Sequence, residues 1–266
     1  MSKMPVYFLS HGGGPWPWVD GMREQFAVTE REFRVLPQRL PAKPQAVLAI
    51  TGHWEAREFT VSTAAHPPMV YDYGGFPAHT YQIRYPAPGS PALAARVKTL
   101  LADAGLPAQE DAARGFDHGT FVPLALMYPD ADVPVVMVSL KSSLDPAEHI
   151  RLGQALAPLR DEGVLIIGSG LTYHNMRGFG RNQSTSVAEA FEAYLEEAIA
   201  QPDAQARNDM LVHWEDAPGA RLVHPREDHL IPLMAIAGAA GSDQGRTLFV
   251  DHVMQVPMGS FEFGGH

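Results

Sequence analysis

Residues 45–54 read QAVLAITGHW, and our prediction of the fold starts from this stretch. Its residues 46–50 form a continuous apolar run, which is typical of a strand that is covered on both faces of a sheet. Thr51, Gly52 and His53 follow the run, so polar side chains stand at the end of this strand. Similar runs occur at residues 6–9 (VYFL), 133–140 (VPVVMVSL) and 164–167 (VLII), and we interpret them as strands too.

Helical patterns lie between these apolar runs. The first begins with a Ser-Pro pair, which suits a helix N-terminus, and glycine follows the first and second patterns, as is common after a helix. The predicted helices cover residues 90–105, 145–162 and 185–200. Such alternation of strands and helices predicts an α/β fold with a mainly parallel central sheet and helices on both faces. No repeat or flexible linker divides the sequence, so we expect a single catalytic domain over residues 1–266.

Composition excludes several classes of function. The formal net charge of −10, without a Lys/Arg cluster, argues against nucleic acids and anionic membranes as partners. The sequence has no cysteine, so any metal site must use histidine, carboxylate or backbone oxygen ligands, and histidine is plentiful at 12. Residues 1–9 lack a basic segment and a cleavage site, and the apolar runs are short. We therefore expect a cytoplasmic protein; its oligomeric state is left open.

Three histidines stand at or just beyond the ends of predicted strands, where ligands bind in open α/β sheets. His11 follows the first strand, His53 follows the strand that ends at residue 50, and His174 comes a few residues after the strand at 164–167. Any one of them is more easily explained as a hydrogen-bonded structural residue. Three on one edge of a cysteine-free protein favour a metal site or an acid–base site.

Two further histidines are candidates of a different kind. We place His229 in the first turn of a buried helix that extends to about Ala239, where a neutral imidazole can bind a metal. His118, between Asp117 and a glycine, suits hydrogen bonding to a substrate, although the same segment also fits the start of a helix near residue 121. The other histidines are interpreted as structural or solvated, namely His66, His79, His149, His213, His224, His252 and His266.

Several segments, spread in order over nearly the whole chain, match one known family. They are Ser10-His11-Gly12, Gly52-His53-Trp54, residues 71–77 (YDYGGFP), residues 85–91 (YPAPGSP), residues 115–119 (GFDHG), residues 127–134 (MYPDADVP), Gly168-Ser169-Gly170, His174-Asn175 and residues 229–233 (HLIPL). On these segments the chain resembles the class III extradiol ring-cleavage dioxygenases of the DOPA-dioxygenase type. One departure is residues 12–15 (GGGP), where the family pattern has Gly-Ser-Pro after the first histidine, and this difference bears on substrate preference.

The resemblance implies roles for the candidate histidines. His11, His53 and His229 would hold a divalent metal, His174 would be the acid–base histidine and an additional candidate ligand, and His118 would lie beside the substrate. The larger class uses two histidines and one carboxylate, so the neighbouring Glu227 and Asp228 remain minor alternatives for the third ligand.

The expected activity is cleavage of a catechol ring, DOPA-like or related, with O₂. It requires a redox-active metal, so we expect Fe(II) in the working enzyme, with Zn(II) possible after purification. Two alternatives stay open: a zinc hydrolase on the same scaffold, and a non-catalytic metal-binding protein. Trp54, Tyr71 and Phe76 are candidates for aromatic walls of the site, although large aromatic side chains more often serve in packing. Arg84 and Arg177 are candidates for pairing with a substrate carboxylate, although a surface role is more common for each.

Overall fold

An eight-stranded mixed sheet organises the protein, as seen in a computed structural model that describes residues 3–265. Met1, Ser2 and His266, the last of them predicted to be structural or solvated, lie outside the described residues. The strands are β1 (Val6–Ser10), β2 (Ala46–Ala56), β3 (Thr60–Ser62), β4 (Gln109–Asp111), β5 (Val135–Lys141), β6 (Val164–Gly170), β7 (Gly245–Val253) and β8 (Val256–Phe263).

The four strands predicted from apolar runs form the centre of the sheet. The strand order is β4-β3-β5-β2-β6-β1-β8-β7, and the central neighbours β5, β2, β6 and β1 pair in parallel. Antiparallel pairing appears only toward the margins, where β3 meets β5 and where β8 meets β1 and β7. The prediction of a mainly parallel sheet is confirmed, because parallel pairing joins all four central strands.

Eight α-helices and several short 3₁₀ turns connect the described strands. The α-helices are α1 (Ala27–Val35), α2 (Pro91–Asp103), α3 (His118–Met127), α4 (Pro146–Leu156), α5 (Asn182–Ile199), α6 (Ala204–Val212), α7 (Ala220–Val223) and α8 (Ile231–Ala240). Ser90 caps α2, as the sequence predicted, and Asp145 caps α4, each with its side chain accepting a backbone N–H. The helix predicted over 145–162 is shorter, because a 3₁₀ turn at Ala157–Arg160 follows its end.

Two apolar cores lie on opposite faces of the sheet. Along β1, Val6 and Phe8 join the core that contains α2, α4, α5 and α8, whereas Tyr7 and Leu9 join the core that contains α1 and α3. This alternation follows from the two-residue period of a strand, which points successive side chains to opposite faces. Both faces of the central strands are therefore covered, which explains why their sequences are apolar without interruption.

Two segments that look like long loops in the sequence are ordered by local contacts. Residues 12–18 end in a 3₁₀ turn at Trp16–Trp18, and the Trp16 indole donates a hydrogen bond to the His11 carbonyl oxygen at 2.8 Å. Residues 66–88 carry a 3₁₀ turn at Ala78–Gln82 and internal tyrosine hydrogen bonds. No helix among residues 3–265 is long and apolar enough to cross a membrane.

Candidate active site

The carboxyl ends of three adjacent parallel strands deliver the first candidates to one edge of the sheet. His11 comes directly after β1, and its backbone N–H donates to Gly170 of β6, which continues the ladder between these strands. His174 lies four residues beyond the end of β6. His53 is carried by β2, which does not end at residue 50 as predicted but continues through an irregular register to Ala56.

His229 and His118 approach this edge from helix starts. His229 precedes α8 by two residues, so its predicted place in the first helical turn is wrong by that margin. The backbone N–H of Leu171 donates to the His229 carbonyl oxygen at 3.0 Å, and a Cβ on Gly170 would overlap that same oxygen. His118 is the first residue of α3, and Asp117 caps the helix, so the interpretation of this segment as a helix start is confirmed, while the substrate contact of His118 stays a prediction.

Three imidazoles converge on one point. Ring nitrogens of His11, His53 and His229 all lie within 4.8 Å of one another, and the Nε2 atoms of His53 and His229 are 3.1 Å apart. Two ligand atoms of one ion with metal–nitrogen bonds of about 2.0–2.1 Å lie at most about 4.2 Å apart, and the 3.1 Å between His53 and His229 is within that distance. These three residues are the ones that the family resemblance implies as metal ligands.

The ring of His11 gives the clearest indication of a ligand. Its side chain is buried, and neither Nδ1 nor Nε2 has a hydrogen-bond partner among the described residues. Buried polar atoms without partners are rare and costly, because they lose their hydrogen bonds to water. A divalent cation that accepts the lone pair of one of these nitrogens removes half of this deficit, so the residues fit a metal ion.

The electrostatic setting keeps these imidazoles neutral. Burial lowers the pKa of His11, His53 and His229 well below the ordinary value, and the neighbouring histidines lower it further. Burial also lowers the pKa of His174. Neutral imidazole is the form that offers a lone pair to a metal or accepts a proton, so the cluster is ready for both tasks near neutral pH.

A carboxylate that the sequence did not single out joins two of the histidines. Asp72 Oδ1 accepts hydrogen bonds from the backbone N–H of His118 and from its Nδ1, at 3.1 and 2.9 Å, and Oδ2 lies 3.3 Å from His53 Nδ1. Burial opposes ionisation, but the hydrogen bond from His118 keeps the pKa of Asp72 below its ordinary value. In the sequence, the only indication of a role for Asp72 is its position in the aromatic motif at residues 71–77, within a long loop.

Asp228 occupies the far side of His229. Its Oδ2 lies 2.7 Å from His229 Nδ1, so this carboxylate orients the imidazole whose Nε2 faces His53. Glu227, the other carboxylate alternative, accepts a hydrogen bond from Arg221 at 2.5 Å. His229 therefore faces the cluster through Nε2, and Asp228 lies on the opposite side of the ring, an arrangement that is common in metal sites.

His174 lies against the cluster without joining the group of three. Its ring stacks on that of His229, with centroids 3.5 Å apart and an interplanar angle of 25°. It falls within a separate group, with Asp228 and His229, whose candidate atoms also lie within 4.8 Å of one another. The position suits proton transfer beside the cluster, and it keeps a role as an additional ligand open.

Two of the three aromatic residues that were candidates for the walls of the site lie outside the cavity. Phe76 lines the cavity in front of the histidines, but Trp54 and Tyr71 do not. Trp54 is buried under the Arg114 guanidinium, and the Tyr71 hydroxyl donates to the Ile83 carbonyl oxygen. Their aromatic rings act in packing, as large aromatic side chains commonly do.

The remaining histidines have contacts away from the cavity or are exposed. Backbone groups bind the rings of His79, His149, His213 and His224. His66 and His252 are exposed. Among the described residues, the histidines of the cavity wall are thus the five already named: His11, His53, His118, His174 and His229.

Comparison with known proteins agrees with this geometry. Residues 5–260 match the family described as the catalytic LigB subunit of aromatic ring-opening dioxygenase. The 4,5-DOPA dioxygenase extradiol of Beta vulgaris is 41% identical, over 90% of this chain and 87% of that protein. The Escherichia coli K12 protein of the same name is 35% identical, over 95% and 91% respectively.

Two other relatives extend the comparison. Dioxygenase tasH of Hapsidospora irregularis is 36% identical, over 100% of this chain and 87% of that protein. A crystal structure of an uncharacterized protein from Escherichia coli K12 superposes with a TM-score of 0.81 at 31% identity, covering 98% of this chain and all of the other. The family match and these relatives place the α/β fold with its histidine-rich edge in the class of aromatic ring-opening dioxygenases. The chain belongs to the class III extradiol dioxygenase family.

Proposed function

We propose that this protein cleaves the ring of a catechol with O₂, at the carbon–carbon bond beside the two hydroxyl groups. The unpartnered, buried ring of His11, grouped with His53 and His229, is the observation that carries this proposal. Both oxygen atoms of O₂ enter the product, a hydroxymuconic semialdehyde type of compound, so no further reductant is needed. A DOPA-like catechol is one member of the substrate class.

His11, His53 and His229 would hold the metal, and Fe(II) is the ion that we propose for the working enzyme. Fe(II) supplies the one-electron chemistry that links a catechol to O₂, whereas Zn(II) has no redox chemistry. Asp228 and Asp72 bind the Nδ1 sides of His229 and His53, which leaves Nε2 of each ring facing the cluster.

His174 and His118 act on the substrate side of the cluster. His174 is half-buried and kept neutral by burial, so it can accept a proton from a catechol hydroxyl and return it later. His118 is held by Asp72 at Nδ1, which directs its other ring nitrogen toward the cavity for a hydrogen bond to the substrate. Together they bind, orient and deprotonate a diol.

Single replacement of His11, His53 or His229 by alanine tests the ligand set. We expect each variant to lose bound Fe(II), measured as metal content after anaerobic reconstitution and desalting, with an unchanged far-ultraviolet circular dichroism spectrum. His66→Ala is the matched control, since His66 is exposed and lies outside the cavity wall. Full metal content in any of the three variants would remove that residue from the site.

A further inference from the structure

The cavity in front of the histidines has room for more than a catechol ring. Its volume is about 370 Å³, within the range of roughly 300–1,000 Å³ that is typical of small-molecule sites. Five imidazoles contribute to its wall, and most of the remaining wall is apolar. The apolar side chains include Phe26, Phe76, Leu171, Met176, Met254 and Met258.

The described part of the chain adds no Lys, Arg, Asp or Glu side chain to this wall. Arg177 contributes to a separate surface groove, and Arg84 is exposed and donates to the Tyr71 hydroxyl at 3.2 Å. Asp72 and Asp228 bind the Nδ1 atoms of histidines and do not face the cavity. A substituent with a carboxylate or an ammonium group would therefore meet no counter-ion here.

The two other polar side chains of the wall each donate a hydrogen bond within the protein. The Gln25 side-chain amide donates to the Gly21 carbonyl oxygen at 2.9 Å, and the Tyr73 hydroxyl donates to the Thr80 carbonyl oxygen at 2.7 Å. The backbone of residues 12–14 also borders the cavity, and it carries no charge. An ionised substituent loses its hydration without replacement in such a place, whereas an apolar one gains from leaving water.

The mouth of the cavity is apolar as well. Met176 and Met254 line it although their exposed fractions are 68% and 50%, and they are two of three large apolar side chains exposed on the described surface. Exposed apolar groups beside a cavity mark a binding surface. Methionine is unbranched and adapts its shape, so this mouth can close around substituents of different size.

The glycine-rich loop after His11 contributes to the same surface. A Cβ built on Gly14 would lie 2.7 Å from Cζ of Phe76, so a side chain at this position would displace the ring from the wall. Gly14 also has a φ of +55°, which favours glycine. The departure from the family pattern at residues 12–15 thus coincides with an aromatic wall.

We infer that the preferred substrates are catechols with an uncharged, apolar ring substituent, and that catechols with an ionised side chain are disfavoured. This inference rests on the proposed ring-cleavage function and narrows its substrate class, because DOPA-like catechols, whose amino-acid group is ionised, then belong to the disfavoured compounds. The cluster of histidines takes the diol, and the methionine and phenylalanine wall takes the substituent.

Binding under argon tests the substituent preference independently of turnover. Catechol, 4-ethylcatechol, dopamine and 3,4-dihydroxyphenylacetate are titrated into the Fe(II)-reconstituted protein by calorimetry. With roughly fourfold per buried methylene, 4-ethylcatechol should bind about tenfold more tightly than catechol, and both charged compounds more weakly than catechol. A charged compound that binds as tightly as 4-ethylcatechol overturns the inference.

Oxygen uptake on the same four compounds separates this inference from the proposed function. Uptake on catechol itself supports ring cleavage, whatever the order of the substituted compounds. If catechol and 4-ethylcatechol both bind and neither consumes O₂, the proposed function fails, while the order of affinities still decides the inference.

A charge-insertion variant tests the physical cause. Met176→Arg places a cation at the mouth of the cavity, and we expect it to improve the affinity for 3,4-dihydroxyphenylacetate relative to 4-ethylcatechol by about tenfold. Leu222→Arg is the matched control, because Leu222 is also an exposed apolar residue, at 63%, but does not line the cavity. Equal affinity ratios in the two variants would show that the missing counter-ion does not set the preference.

Discussion

At the residue scale, the site depends on which nitrogen of each histidine faces the cluster. Asp72 lies at Nδ1 of His118 and of His53, and Asp228 lies at Nδ1 of His229. A carboxylate behind an imidazole fixes both the ring orientation and the tautomer, and it makes the front nitrogen a better base. Two carboxylates thereby set the direction of three rings.

Replacement of Asp72 by asparagine should impair the site without unfolding the protein. An amide cannot accept hydrogen bonds from two imidazoles with both of its side-chain atoms, so His53 or His118 loses its orientation. We expect a loss of about 10–100-fold in metal affinity or in kcat, measured by metal titration and steady-state oxygen uptake. Asp130→Asn, at an exposed position, is the control. Equal behaviour of the two variants would exclude a positioning role for Asp72.

His174 provides a second prediction at this scale. If it transfers protons and is not an essential ligand, His174→Phe should keep its metal and lose kcat by about 10²–10⁴-fold. Phenylalanine preserves the ring that stacks on His229, so the packing contact is retained. Metal content and oxygen uptake are measured on the same preparation. A loss of metal would make His174 a fourth ligand, and a smaller loss of kcat with an unchanged pH profile would contradict the acid–base role.

At the element scale, much of the fold could be predicted because the central strands are covered on both faces. Residues 46–50 and 164–167 are apolar without interruption, and both fall inside central strands. The margins were harder to predict. β7 alternates buried and more exposed positions, and β3 and β4 have three residues each, so they show no apolar run.

Only some residues of the site could be predicted from the sequence. Histidines at strand ends are visible in the sequence because parallel strands share one edge. Asp72 was missed because it reaches His118 and His53 from a loop, and no periodicity connects a loop to its contacts. The end of β2 was misjudged because Gly52 and His53 interrupt the apolar run, although the strand continues to Ala56.

A buried carboxyl group between α5 and β8 should make the stability of the protein depend on pH. Glu192 of α5 is buried against β8, and burial raises its pKa to about 7. The folded protein therefore holds a proton that the unfolded chain releases near pH 4.5, so this contribution to stability is present below pH 4.5 and lost by about pH 7.

Glu192→Gln should remove this pH dependence. The amide is neutral at every pH and similar in shape, so the variant should gain roughly 3 kcal/mol of unfolding free energy relative to the parent between pH 4.5 and pH 7.5. Urea unfolding at several pH values measures the difference. Glu197→Gln on the same helix, at an exposed position, serves as the control. Parallel pH profiles of parent and Glu192→Gln would contradict a raised pKa for this carboxyl group.

At the scale of the whole molecule, the central parallel strands, a long loop and two helix starts meet at one edge of the sheet. His11 follows β1, His53 lies in β2 and His174 follows β6, whereas the first residue of α3 is His118 and the segment before α8 carries His229. Among residues 3–265, no single segment carries more than one histidine of the cavity wall. The site therefore forms only where these five segments meet. A metal site built this way serves a dioxygenase and also suits a zinc hydrolase.

One measurement separates these activities most directly. Oxygen-electrode traces are recorded for the Fe(II)-loaded and Zn(II)-loaded protein with catechol, with phenol, and with a phenyl ester under air and under argon. We expect O₂ uptake and a yellow ring-opened product only with Fe(II) and catechol, because phenol lacks the second hydroxyl of the chelating diol. Hydrolysis of the ester under argon, with no O₂ uptake on catechol, would contradict it.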